Sequence, residues 1–84
     1  MGELAKLRNL GQRSEAMLNA AGIVSEDDLR KAGPAECYWR LRQHGFKASL
    51  NFLWAIDGAL KGIDLRELSV ERKAELLAEL SALK

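Results

Sequence analysis

The feature that most restricts the fold is an absence: no segment of the chain alternates apolar and polar side chains as a half-buried strand requires. Apolar residues recur instead at spacings of three and four, and Gly22, Gly33 with Pro34, and Gly45 punctuate the intervals. A chain patterned in this way builds its core by packing helix on helix. The expectation is an all-α, compact five-helix fold, with residues 1–84 forming one domain and residues 1–6 a flexible lead-in.

Residue types mark the helix ends. A first helix starts near Gln12 and directs Met17, Leu18 and Ala21 to one face; Gly22 ends it as a left-handed cap, and Ile23 folds back onto it. In "VSEDDLRKAG", Ser25 is the N-cap of a second helix, Glu26, Asp27 and Asp28 occupy the positive end of its dipole, and Arg30 and Lys31 the negative end. Pro34 opens a third helix that runs to Gly45 and turns Tyr38 and Leu41 inward. Ser49 is the expected cap of a fourth, central helix carrying Leu50, Leu53, Trp54, Ile56 and Leu60. Its small residues Ala55, Gly58, Ala59 and Gly62 invite close approach by a neighbouring helix. A turn begins at Asp64, and Ser69 caps a last helix whose expected core face is Val70, Ala74, Leu77 and Leu80, widened by Leu76 and Leu83.

Charge excludes some partners in general terms. Thirteen basic residues face twelve acidic ones, for a net charge of +1, so binding to nucleic acid has to come from a local patch. No apolar run approaches the roughly 20 residues needed to span a bilayer, and "MGELAKLRNLG" lacks the apolar core of a signal peptide; a cytoplasmic location without membrane contact is expected. Cys37 is the single cysteine, which rules out an internal disulfide and a multi-cysteine zinc site.

Nothing in the pattern points to catalysis, a metal or a cofactor. His44, the single histidine, reads as a side chain interacting with its helix C-terminus, and Cys37 as a small buried hydrophobe. Glu26, Asp27 and Asp28 lack the spacing and internal glycine of a calcium loop. Trp54 belongs to the core. Trp39, with Arg40 and Arg42 following it on the same helix, reads as a ring at the core margin, and the three residues together form a candidate interaction surface.

The stretch "LRNLGQRSEAMLNAAGI" holds the other candidate. A glycine turn just before a helix exposes backbone N–H groups at the positive end of the dipole, where a phosphate can bind. Asn9, Gly11, Gln12, Arg13 and Ser14 are the candidate contacts to a nucleic-acid backbone, with Lys6 and Arg8 nearby. The pattern L-x-N-L-G-x-R-S-x-x-x-L-x-x-A-G-I resembles a helix-hairpin-helix element, with Asn9 where the first hairpin glycine usually stands; asparagine tolerates the left-handed conformation.

Together, the Asn-Leu-Gly hairpin, Ala-Gly-Ile, the Asp-Leu of the second helix and "LWAIDGALKG" resemble the C-terminal domain of the TfoX/Sxy family, from Leu4 to nearly the end of the chain. The family often has an aromatic where Leu65 stands, and many members carry an α/β domain ahead of this one. The first half is also similar to the C-terminal domain of the RNA polymerase alpha subunit, which uses a related hairpin on DNA. The resemblance implies a non-catalytic role in bacterial competence and transcription regulation. Two routes to that role stay open: docking on a protein, be it transcription machinery, another regulator or a second copy of this chain, and contact with DNA backbone through the hairpin.

Overall fold

Helix boundaries follow the capping chemistry closely. In the computed structural model, which describes residues 3–83, five α-helices run over Gln12–Ala20 (α1), Glu26–Ala32 (α2), Pro34–Gln43 (α3), Leu50–Lys61 (α4) and Val70–Ser81 (α5), with 3₁₀ turns at Leu4–Lys6 and Leu65–Glu67. No strand occurs among the described residues. Gly22 has φ +91° and the Ile23 amide donates to the Leu18 carbonyl at 2.9 Å, the six-to-one bond of a Schellman cap, which drives Ile23 into the core. Ser25 accepts from the Asp28 amide at 3.0 Å while the Asp28 carboxylate accepts from Val24, so the start of α2 is closed from both sides. The acids of that turn also pair along the helix, Glu26 with Arg30 and Asp27 with Lys31. Ser69 and Asp64 cap α5 and the second 3₁₀ turn in the same manner. His44 stays exposed, its Nδ1 3.0 Å from the Arg40 carbonyl at the end of α3.

The core forms around α4, whose Leu53, Ala55, Ile56 and Ala59 are buried against Leu18, Leu29, Leu41 and Leu76. Helix α3 packs on α2, α4 and α5, and the turn Leu65–Glu67 lies along α4. Trp54 is nearly covered, with the Lys73 ammonium 5.5 Å from its ring centroid.

Five expectations need correction. Within the proposed lead-in, Leu4–Lys6 is a 3₁₀ turn with Leu4 fully buried, because Glu15 accepts from the amides of Leu4 and Ala5 and ties that turn to α1; residues 1 and 2 lie outside the described part. The element before the hairpin is thus one 3₁₀ turn. Ser49 has extended N-cap geometry, but its side chain makes no cap bond; only its carbonyl bonds into the first turn, to Phe52. Leu50 is 42 % exposed, because the first turn of α4 projects past the core. The two glycines of α4 receive no helix: at Gly58 the neighbours are the Asn9 side chain and the Ile63 carbonyl, and Gly62 is the left-handed C-cap.

The last correction concerns α5. Val70 and Leu77 are 80 % and 40 % exposed and Ala74 is exposed, while Leu76 is fully buried and Leu80 half-buried. The inward face is rotated because Arg72, one turn before Leu76, reaches back to Asp57 in a two-pronged pair, Nε to Oδ2 at 3.1 Å and Nη2 to Oδ1 at 2.9 Å. Asp57 is only 2 % exposed, and the Lys61 ammonium lies 3.5 Å from its Oδ2. Bonding to Asp57 raises the pKa of the Arg72 guanidinium further above its ordinary value.

Candidate functional site

Two surfaces hold the candidate residues. The first is the start of α1. Gly11 is its N-cap in extended conformation and has no side chain to close the end. The amides of Gly11, Gln12, Arg13 and Ser14 have no protein acceptor among the described residues, and the side chains of Gln12 and Arg13 are exposed. Asn9 takes the left-handed conformation its position requires, φ +72°. Its side chain, however, is turned inward: Nδ2 donates to the carbonyls of Ile63 at 2.8 Å and Ala55 at 3.4 Å, and Oδ1 accepts from the Leu65 amide at 3.2 Å. Asn9 therefore staples the hairpin to the end of α4 and the turn after it, and its amide group is not presented to a ligand. Arg8 leans toward Asp64 at 4.0 Å, whereas Lys6 and Arg13 have no carboxylate partner among the described residues.

The second surface is a groove of about 640 Å³ where the end of α3, the start of α4 and the end of α5 meet. Trp39, Leu50 and Leu80 supply its apolar wall, with Tyr38 and Ala48 behind and Arg42, Gln43 and Ser49 at the rim. The irregular stretch between Gly45 and Leu50 contributes Ala48 and Ser49 to the groove. The Phe46 amide donates to the Leu41 carbonyl and closes α3, and the Tyr38 hydroxyl donates to the Ala48 carbonyl at 2.7 Å. The first bond folds the connector back on the end of α3, and the second ties it to the Tyr38 side chain in the groove. Arg42 reaches the same anchor, with Nη1 3.3 Å from the Ala48 carbonyl and 3.4 Å from the Tyr38 hydroxyl, and its guanidinium is 5.9 Å from the Tyr38 ring centroid.

Of the three residues expected to form an interaction surface, Trp39 and Arg42 meet in this groove. Arg40 does not, because it pairs with Glu36 along α3. The sequence reading missed Leu50, Leu80, Ala48 and Ser49. Leu50 could have been found as the apolar first residue of a helix, a position that rarely reaches a core; Leu80 was expected on the inward face of α5, but its meeting with α3 and α4 at one opening is not encoded in helical spacing.

The groove does not contain the one cysteine. Cys37 is fully buried under α2, its Sγ 3.9 Å from the Leu29 carbonyl. Burial pushes the thiol up to about 12, with the nearby Arg40 opposing the shift in part. It is chemically quiet.

Comparison with known proteins places this architecture. Residues 1–80 match the model of the TfoX C-terminal domain. The chain belongs to that family, a competence-related regulatory family. It is 36 % identical over 73 residues to Protein Sxy of Escherichia coli strain K12, an alignment that takes in 87 % of this chain and 35 % of Sxy. The chain thus spans about a third of that relative. Two crystal structures from Listeria monocytogenes share the fold. An uncharacterized protein superposes with a TM-score of 0.85 at 29 % identity, covering 98 % of this chain and 93 % of the other. A protein of unknown function gives 0.84 at 30 % identity, covering 96 % and 100 %.

Proposed function

We propose that this TfoX C-terminal domain is a non-catalytic interaction module of a competence or transcription regulator, and that it docks a partner protein in the groove between α3, α4 and α5. The partner belongs to the transcription machinery or is another regulator. One observation carries the reading. Trp39, Leu50 and Leu80 gather around one opening, and Leu50 is left 42 % exposed while Leu53, one turn later on the same helix, is fully buried. Scattered exposed apolar residues need no explanation, but a concave apolar cluster with a polar rim is the arrangement that accepts an anchor side chain.

A photo-reactive amino acid placed at Leu50 of the full-length protein in its host cell tests this, with the exposed Ala78 on α5 as the control site. A discrete protein adduct from position 50 and none from position 78 is expected. Equal labelling from the two sites, or none from either, contradicts the docking reading.

A second reading rests on the amides of residues 11–14 and the side chains of Lys6 and Arg13, which among the described residues have no acceptor and no carboxylate partner: the α1 start contacts DNA backbone without reading sequence. On that reading, duplex DNA binds at low salt, the log–log salt slope falls by about 0.9 for each phosphate contact removed, and Arg13→Glu removes at least one. A duplex titration in which Arg13→Glu matches the unaltered protein eliminates it.

A further inference from the structure

The docking reading leaves open what the partner presents, and the rim of the groove narrows it. None of the eight lining residues is acidic. Arg42 touches only a hydroxyl, a carbonyl and an aromatic ring, and Lys47, on the connector along the adjoining surface with Arg42, Ala48 and Ser49, is exposed; neither has a carboxylate within ion-pair distance among the described residues. Arg30, Arg40, Arg66 and Arg72 each bond a carboxylate, so that apart from Arg13 at the start of α1 the lack of one sets Arg42 apart among the described residues. The connector adds donors of its own. The amides of Lys47, Ala48 and Ser49 have no protein acceptor among the described residues, whereas the Ala48 carbonyl is already occupied by Tyr38 and Arg42. Helix α4 begins beside them with no acid in its first turn and no side-chain cap, so its positive end adds to the same field.

From this complementarity we infer that the groove is built for an acidic peptide segment of a partner protein, one that inserts a bulky apolar side chain between Trp39, Leu50 and Leu80 and sets carboxylates against Arg42 and Lys47. The inference rests on the docking reading and adds the chemistry of the partner to it. Two features of the surface support a peptide over a small ligand: the lining draws on three helices and the connector between two of them, and the amides of Lys47, Ala48 and Ser49, without a protein acceptor among the described residues, lie beside the cations where a partner's backbone carbonyls can bond them. Carboxylates at such a rim act mainly on specificity and association rate, while the anchor contributes the burial.

Three short synthetic peptides that share one phenylalanine anchor, flanked by glutamate, by glutamine or by lysine, test the inference by amide shift mapping and affinity at low and moderate salt. Phenylacetate serves as a small-molecule arm. The expected result is shifts confined to Tyr38–Gln43, Lys47–Leu50 and Leu80, with the glutamate peptide binding roughly tenfold tighter than the glutamine peptide and the lysine peptide weakest. The double variant Arg42→Gln, Lys47→Gln should level the three, and Leu50→Glu, at an exposed position, should remove them all while leaving the thermal midpoint close to that of the unaltered protein. Equal binding of the glutamate and glutamine peptides in the groove overturns the acidic partner while leaving docking intact. Phenylacetate binding more tightly than any peptide reassigns the groove to a small anion and overturns it as well. If no peptide shifts the groove, the inference fails on its own account, since the adduct from position 50 judges the docking reading independently.

Discussion

Asn9 answers the question its place in the hairpin raises. A glycine there would reach φ +72° without strain, but it could not bond Ile63, Ala55 and Leu65 at once, and those three bonds join the hairpin to residues 46 to 56 positions away. Replacing it with alanine removes all three bonds and leaves a Cβ residue in the left-handed region. At about 1 kcal/mol per bond plus roughly 1 kcal/mol of strain, Asn9→Ala should lose about 3–4 kcal/mol in denaturant unfolding, and Asn9→Gly about 1 kcal/mol less than that. The facing glycine makes the reciprocal case. A Cβ at Gly58 would lie 2.5 Å from the Asn9 amide nitrogen and 2.7 Å from the Ile63 carbonyl oxygen, and the second of these is backbone. Gly58→Ala should therefore destabilise by about 1–3 kcal/mol, although alanine is the better helix former by about 1 kcal/mol. Cys37 yields a pH prediction. Its thiol is held near 12 in the fold against an ordinary value of 9.0, so the unfolded chain gives up the proton first. The contribution is complete below pH 9 and declines as pH rises from 9 toward 12; relative to Cys37→Ala, the melting temperature of the unaltered protein should fall more steeply across that interval.

At the scale of elements, turn chemistry was legible and register was not. Gly22, Ser25, Gly33 with Pro34, Asp64 and Ser69 carry their information in one residue each, and all five act as their residue types require. The inward face of α5 depends on a partner that is fifteen residues away in sequence and cannot be read from helical spacing. Val70, Ala74 and Leu77 make as regular a stripe as Leu76, Leu80 and Leu83, and the choice between them is made by Arg72 closing on Asp57. That clasp can be tested as a unit. Arg72→Met leaves a buried carboxylate with only Lys61 nearby and should lower stability by about 3 kcal/mol; adding Asp57→Leu should recover most of the loss, because the unpaired charge goes with it. A double variant no more stable than the single one would show that α5 is held by other contacts.

For the whole molecule, the family and the all-helical fold could be read from the order of the motifs, whereas the candidate site could be read only in part. Trp39 and Arg42 stood out because a tryptophan followed by two arginines is conspicuous in any helix. Leu50, Leu80 and the open connector at Ala48 and Ser49 become a site only when three helix ends converge, and no local pattern encodes that convergence. The two open surfaces, groove and hairpin, make opposite demands on function. The measurement that separates them most directly is the output of a competence-gene reporter in the host cell, carrying full-length protein with Leu50→Glu or with Arg13→Glu at matched protein levels. Leu50→Glu should lower reporter output at least roughly tenfold, as expected for a charge placed in an anchor pocket, and Arg13→Glu should keep it within about twofold of normal. Full output from Leu50→Glu together with a collapse for Arg13→Glu would contradict docking in the groove.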